Sequence, residues 1–147
     1  MMNKAAFFDR DGTINVDTGY THKIEDFKFI EGMPEFIKKW NDWGYKVIVV
    51  TNQAGIARGY YTEADMNLLH EYMNQELKKI GAHIDAFYFC PHHPDFTGAC
   101  HCRKPEPGMI EQAIQDWDID VAQSILFGDK QSDIDAGEKC GIKGYLV

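Results

Sequence analysis

The stretch Lys4-Ala5-Ala6-Phe7-Phe8-Asp9-Arg10-Asp11-Gly12-Thr13-Ile14-Asn15 decides how the rest of the chain is read. An apolar run stops at two carboxylates one residue apart, and a glycine follows. Alternate side chains of an extended segment share a side, so Asp9 and Asp11 face together and Arg10 faces away. Two like charges this close each favour the neutral form of the other unless a cation lies between them. Oxygen ligands in that arrangement suit magnesium. One carboxylate can also act as a nucleophile while its neighbour handles protons. Gly12 lets the backbone turn sharply beside whatever the carboxylates hold. An Asp-Gly pair also begins many ordinary turns, so the remainder of the chain has to decide.

Beyond this stretch, strand patterns alternate with helix patterns, which predicts an α/β fold: a doubly wound, mostly parallel sheet with helices on both faces. Residues Val16 to Ile30 read as a partly packed loop. Pro34 opens a helix with Met33, Phe36, Ile37 and Trp40 on its inner face, and Gly44 ends it. Lys46 to Val50 is a buried strand that closes on Thr51-Asn52-Gln53. Thr62 and Asp65 form a capping box for a helix whose apolar face is Met66, Leu69, Met73, Leu77 and Ile80. Ala86 to Cys90 is a third strand and Ser124 to Phe127 a fourth. Between them Met109, Ile110, Ala113, Ile114 and Trp117 line a helix. Gly128-Asp129, a helix from about Ser132 to Cys140 and a last strand over Gly144–Val147 complete one domain over residues 1–147. Three strands end in polar residues, and in such sheets the carboxyl ends of the strands form the ligand crevice.

At 147 residues, with 44% hydrophobic and 13% aromatic content, the chain can bury a real core. A net charge of −8 argues against a nucleic-acid surface, which needs a basic stripe. It does not exclude a phosphorylated ligand, because a metal and a few cations reverse the field inside a cleft. The apolar run before Asp9 is too short for a signal peptide, and Val47-Ile48-Val49-Val50 is far below spanning length. A soluble, cytoplasmic protein without membrane partner is expected. Three of the four cysteines crowd one loop, Cys90-x-His92 followed by Cys100-x-Cys102. In a reducing compartment that cluster points to metal, and three thiolates with one imidazole make a closed tetrahedral zinc site. His93 and His101 are rival ligands by position.

Asp9-Arg10-Asp11-Gly12-Thr13, Thr51, Lys104 and Gly128-Asp129 with Asp133 resemble the four motifs of the haloacid dehalogenase superfamily of phosphotransferases. The resemblance narrows to the heptose bisphosphate phosphatase family through Thr51-Asn52-Gln53-Ala54-Gly55-Ile56-Ala57-Arg58-Gly59, Cys90-Pro91-His92-His93-Pro94 and Cys100-His101-Cys102-Arg103-Lys104-Pro105. It implies that Asp9 attacks phosphorus, that Asp11 protonates the leaving oxygen and then deprotonates water, and that Thr51 and Lys104 stabilise the transferring group. Acid work by Asp11 near neutral pH asks for a raised pKa, which a neighbouring anion can supply. Magnesium falls to the Asp9 carboxylate, the Asp11 carbonyl and Asp129, with Asp133 bracing them. Zinc falls to Cys90, His92, Cys100 and Cys102, pinning the loop that delivers Arg103 and Lys104. The implied substrate is a small phosphorylated sugar, with Asp17, Gly19, Tyr20, Asn52, Gln53, Arg58, Arg103 and Lys130 along its path.

With no large insertion after the first or third motif, no mobile cap domain is expected, and the chain is expected to act as a monomer. The resemblance also implies relatives that continue some tens of residues further, leaving the sheet edge near Val147 less covered. Histidinol phosphatases share the zinc loop and most motifs and are the nearest rival. From another class, a receiver-type signalling domain also uses an Asp phosphoacceptor, magnesium and a Lys, but Asp11 favours turnover over a long-lived phosphoprotein. A zinc-loop module that only binds proteins leaves Asp9, Asp11, Thr51, Lys104 and Asp129 without a role.

Overall fold

A computed structural model describes residues 2–147. Five strands, β1 (Ala5–Phe8), β2 (Lys46–Asn52), β3 (Ala86–Cys90), β4 (Ile125–Gly128) and β5 (Lys143–Leu146), form one sheet in the order β3-β2-β1-β4-β5. Every pairing is parallel, with Phe8 opposite Val49 on one side and Phe127 on the other. The order reverses beside β1, so the crevice expected at a switch point opens at its carboxyl end.

The helices are α1 (Met33–Asp42), α2 (Ala54–Ala57), α3 (Glu63–Lys78), α4 (Pro94–Thr97), α5 (Gly108–Trp117) and α6 (Gln131–Lys139). β1 is buried throughout, and its side chains alternate between two cores. Ala5 and Phe7 pack with Ile48, Val50, Met109, Ile110 and Ile134 under α5 and α6. Ala6 and Phe8 pack with Ile37, Val47, Val49, Met73 and Leu77 under α1 and α3. A strand buried on both faces reads as an unbroken apolar run, and Ala5–Phe8 does. The Thr62–Asp65 capping box forms, with Thr62 Oγ1 accepting from the Asp65 amide at 3.1 Å. Between β1 and α1 the described residues contain one 3-10 turn, Ile24–Asp26, and no cap layer.

Several boundaries differ from the sequence pattern. β2 continues through Thr51 to Asn52, because Gln53 N still donates to Cys90 O and the ladder with β3 holds to that point. α3 stops at Lys78, so Ile80 lies in the following turn and is 39% exposed, off the apolar face assigned to it. On α1 only Ile37 is fully buried; Met33, Phe36 and Trp40 are half-buried against the same core, Phe36 on Phe8 and Trp40 on Phe127. The short helix α4 falls inside the segment read as the cysteine loop, and α2 lies in a stretch to which the sequence pattern assigns no element.

Candidate active site

Asp9 leaves β1 directly into the crevice and is buried, its backbone N–H donating to Phe127 O at 3.0 Å. Lys104 arrives from far along the chain. The Asn52 side chain accepts from the Lys104 amide at 3.0 Å, and the lysine Nζ donates to Val50 O at 3.0 Å. Thus placed, Nζ sits 2.7 Å from Asp9 Oδ1 and 2.5 Å from Asp133 Oδ1. Burial pushes Asp9 up to about 7, against the opposing pull of Lys104. Burial alone would lower Lys104, but the Asp9 and Asp133 carboxylates outweigh it and hold the ammonium charged.

Oxygens of Asp9, Asp129 and Asp133 lie within 4.8 Å of one another. Asp129 Oδ1 is buried and has no hydrogen-bond partner among the described residues. Three carboxylates facing one ammonium leave negative charge in a buried place, and a hard divalent cation fits that donor set. Two glycines make room for these carboxylates. Gly12 adopts φ 87°, and a Cβ there would strike the Asp129 carboxylate. A Cβ on Gly128 would strike the Asp133 side chain. Asp133 therefore joins the carboxylate cluster itself. Its Oδ2 also accepts from the Lys130 amide at 3.2 Å, which ties it to the first turn of α6.

Asp11 also faces the crevice, but its carboxylate is held apart from that cluster. Oδ1 accepts from Arg10 Nε and Asn15 Nδ2, both at 3.0 Å, and Oδ2 from Gln53 Nε2 at 3.2 Å. Gln53 in turn donates to Thr51 Oγ1 at 2.9 Å and accepts from the Tyr61 hydroxyl. Burial pushes Tyr61 up to about 12, so it stays a donor. Arg10, expected to point away, does leave the Asp9 side of the strand, yet it is fully buried and curls back onto Asp11.

Asp9, Asp11, Thr51, Asn52, Gln53, Tyr61, Lys104 and Asp133 line a crevice of about 340 Å³ with Asp17, Gly19, Tyr20, Ala54, His93, Arg103, Lys130 and Ser132; Asp129 and Arg10 are not in the lining. Asp17 Oδ1 accepts from the Gly19 amide at 2.9 Å, shaping the loop that presents Tyr20. Of the expected substrate contacts, Arg58 is not in the lining. Its guanidinium sits 4.9 Å from the Phe96 ring centroid and 5.8 Å from that of Tyr20. Lys130 makes no ion pair among the described residues, and the cation paired with Asp9 is Lys104.

The cysteine loop gathers Cys90, Cys100 and Cys102, their sulfurs 2.7 to 3.5 Å apart. All are free thiols, and burial pushes Cys90 up, so a thiolate there calls for a cation. Soft sulfur donors so placed fit zinc. The His92 ring is not among the converging donors. Its carbonyl instead accepts from Arg103 at 3.4 Å. The rival rings are engaged elsewhere: His93 Nδ1 accepts from the Asp95 amide at 3.1 Å, and His101 Nε2 lies 2.6 Å from Glu111.

Tyr61, His93, Ser132, Arg10 and His70 are site residues the sequence pattern did not assign as such. The signal for Tyr61 was local, since Gly55 has no Cβ where that ring packs. For His70, 60 residues from Arg10, no sequence signal existed.

Residues 4–139 match the family model described as polynucleotide kinase 3 phosphatase. The chain is 49% identical to a D-glycero-beta-D-manno-heptose-1,7-bisphosphate 7-phosphatase of Haemophilus ducreyi, covering 100% of this chain and 84% of that one. It is 51% identical to a D-glycero-alpha-D-manno-heptose-1,7-bisphosphate 7-phosphatase of Photorhabdus laumondii, covering 98% and 82%. The crystal structure of D,D-heptose 1.7-bisphosphate phosphatase from B. bronchiseptica, complexed with magnesium and phosphate, superposes with a TM-score of 0.90 at 33% identity, over 97% of this chain and 79% of that one. The chain belongs to the haloacid dehalogenase superfamily, and within it to the heptose 1,7-bisphosphate 7-phosphatase family.

Proposed function

We propose that the protein removes the 7-phosphate of D-glycero-D-manno-heptose 1,7-bisphosphate to give heptose 1-phosphate, in the route to nucleotide-activated heptose. The observation that carries the reading is the pairing of Asp9 with Lys104 at the floor of the crevice, 2.7 Å apart. A nucleophile and a fixed cation at one point are what phosphoryl transfer asks of a protein. An Asp9 oxygen attacks phosphorus, and the bond from phosphorus to the C7 oxygen breaks. That oxygen takes a proton from Asp11 and leaves as an alcohol. Asp11 then takes a proton from water, whose oxygen attacks the aspartyl phosphate. Inorganic phosphate leaves and the Asp9 carboxylate is restored. Lys104 and Thr51 meet the charge on the transferring group, and Arg103 and Lys130 stand where a second phosphate or sugar hydroxyls would lie.

Asp9, Asp129 and Asp133 are the carboxylates to hold magnesium, with Asp11 contributing its carbonyl; the ion supplies charge neutralisation on the phosphate oxygens. Cys90, Cys100 and Cys102 would hold zinc, with His92 as fourth ligand after its ring turns inward. That ion would brace the loop leading to Arg103 and Lys104. We take residues 1–147 as one phosphatase domain, acting as a monomer in the cytoplasm, where nucleotide sugars are made. No helix of the described residues is long and apolar enough to cross a membrane.

The match to a polynucleotide phosphatase model raises nucleic acid as a ligand, but the net charge of −8 opposes it, as do the sugar phosphatases at about half identity. The deciding experiment compares kcat/KM for both anomers of heptose 1,7-bisphosphate with that for histidinol phosphate. Preference for a heptose bisphosphate supports the proposal; preference for histidinol phosphate overturns it.

A further inference from the structure

Arg10, between the two crevice carboxylates, has an exposure of 0%. A buried arginine is costly unless its donors are matched, and here they are matched with little left over. Nε donates to Asp11 Oδ1 at 3.0 Å, and one terminal nitrogen donates to Asp11 Oδ2 at 3.2 Å and to the Thr21 carbonyl at 2.6 Å. The other terminal nitrogen meets His70 Nε2 at 3.1 Å. A guanidinium only donates, so His70 Nε2 must accept and its ring proton sits on Nδ1. The His70 ring lies flat on Phe87, centroids 4.1 Å apart at 10°. β3 thus fixes a histidine of α3, the histidine fixes the arginine, and the arginine grips one carboxylate by both oxygens. Asp11 is the one acidic side chain paired with Arg10 among the described residues.

A staple for the fold alone needs no charge here, since an apolar side chain would fill the space between β1 and α3 without burying an ion. A two-point grip sets the rotamer of a carboxylate as a single contact does not. We propose that Arg10, aligned by His70 and the Thr21 carbonyl, is a positioning residue that aims the Asp11 carboxylate at the leaving oxygen. This rests on Asp9 as nucleophile and Asp11 as acid and base.

The test compares two substrates in the magnesium-loaded protein: heptose 1,7-bisphosphate, whose leaving alkoxide needs a proton, and p-nitrophenyl phosphate, whose leaving phenolate does not. kcat/KM reports transfer to Asp9 and excludes the later hydrolysis, so it isolates the step in question. Arg10→Met should lower kcat/KM on the sugar at least about tenfold more than on p-nitrophenyl phosphate, since general acid catalysis contributes roughly 10²–10⁴-fold. Arg10→Lys, which keeps the charge and loses the fork, and His70→Leu should show the same selectivity to a smaller degree. A merely structural role would lower both substrates equally. Equal losses in the folded variants overturn the proposal; should Arg10→Met not fold, the ratio of losses in Arg10→Lys and His70→Leu decides in its place. If the wild-type protein hydrolyses neither ester, the functional reading falls and takes this inference with it. If it hydrolyses both and the ratios stay constant, this inference alone falls.

Discussion

Lys104 Nζ lies 2.7 Å from Asp9 Oδ1, although 95 residues separate the two along the chain. The contact is made by the sheet. Asp9 stands at the end of β1, and Asn52 at the end of the neighbouring β2 holds the backbone of Lys104 by its side chain. Because the pair is buried with Asp133, each group depends on the others for its charge. Asp9→Asn should abolish turnover, and Lys104→Met should lower kcat by about 10²–10³-fold, the range for one preorganised donor at a developing charge. Steady-state phosphate release measures both; an unchanged rate in Asp9→Asn removes Asp9 from the nucleophile role.

Magnesium affinity should answer to Asp129. Its Oδ1 is buried without a partner among the described residues, and its carboxylate fills the space that Gly12 leaves open. Asp129→Asn should raise the magnesium Kd by at least about tenfold. Gly12→Ala should do the same, because its Cβ would displace that carboxylate and φ 87° disfavours alanine. Calorimetric titration of magnesium reads both variants, and wild-type affinity in either contradicts the assignment.

Zinc should act on position and not on chemistry. Cys102 is next to Arg103 and two residues from Lys104, so loosening the loop should misplace both cations. Chelation, or Cys102→Ser, should lower the unfolding temperature and kcat together. A metal-content assay should find one zinc per wild-type chain. Full activity in a zinc-free protein would refute the bracing role.

Stability should fall in acid through His70. Burial first, and the Arg10 charge second, lower its pKa from 6.5 to about 3. The folded value lies below the unfolded one, so its contribution is complete above about 6.5 and is lost as pH falls toward 3. His70→Gln removes the titration and keeps an acceptor for Arg10. Between pH 7 and 4.5 the wild type should lose on the order of 2–3 kcal/mol more stability than this variant. Urea unfolding at the two pH values checks it; parallel losses would show that His70 does not drive the effect.

Much of this was legible in the sequence for a simple reason. β1 is buried on both faces, so its apolar run and its abrupt polar end stood out, and Asp9 and Asp11 share a side because strand periodicity is strict. The parallel sheet followed from alternating patterns, and the thiol cluster from spacing. Contacts made across the fold were not legible. Arg10 looked like a residue facing away, because its true partner, His70, lies on a helix 60 residues later. Ile80 kept the apolar period of α3, but the helix had already ended at Lys78. Arg58 carried the right charge for a phosphate, yet its guanidinium packs against Phe96 and Tyr20 and is absent from the crevice lining.

Phosphorus NMR of heptose 1,7-bisphosphate during turnover tests the central claim most directly. Loss of the C7 phosphate resonance, with the anomeric phosphate intact and inorganic phosphate rising, is the predicted course. Release of the anomeric phosphate, or a bisphosphate left untouched by magnesium-loaded protein, would contradict it.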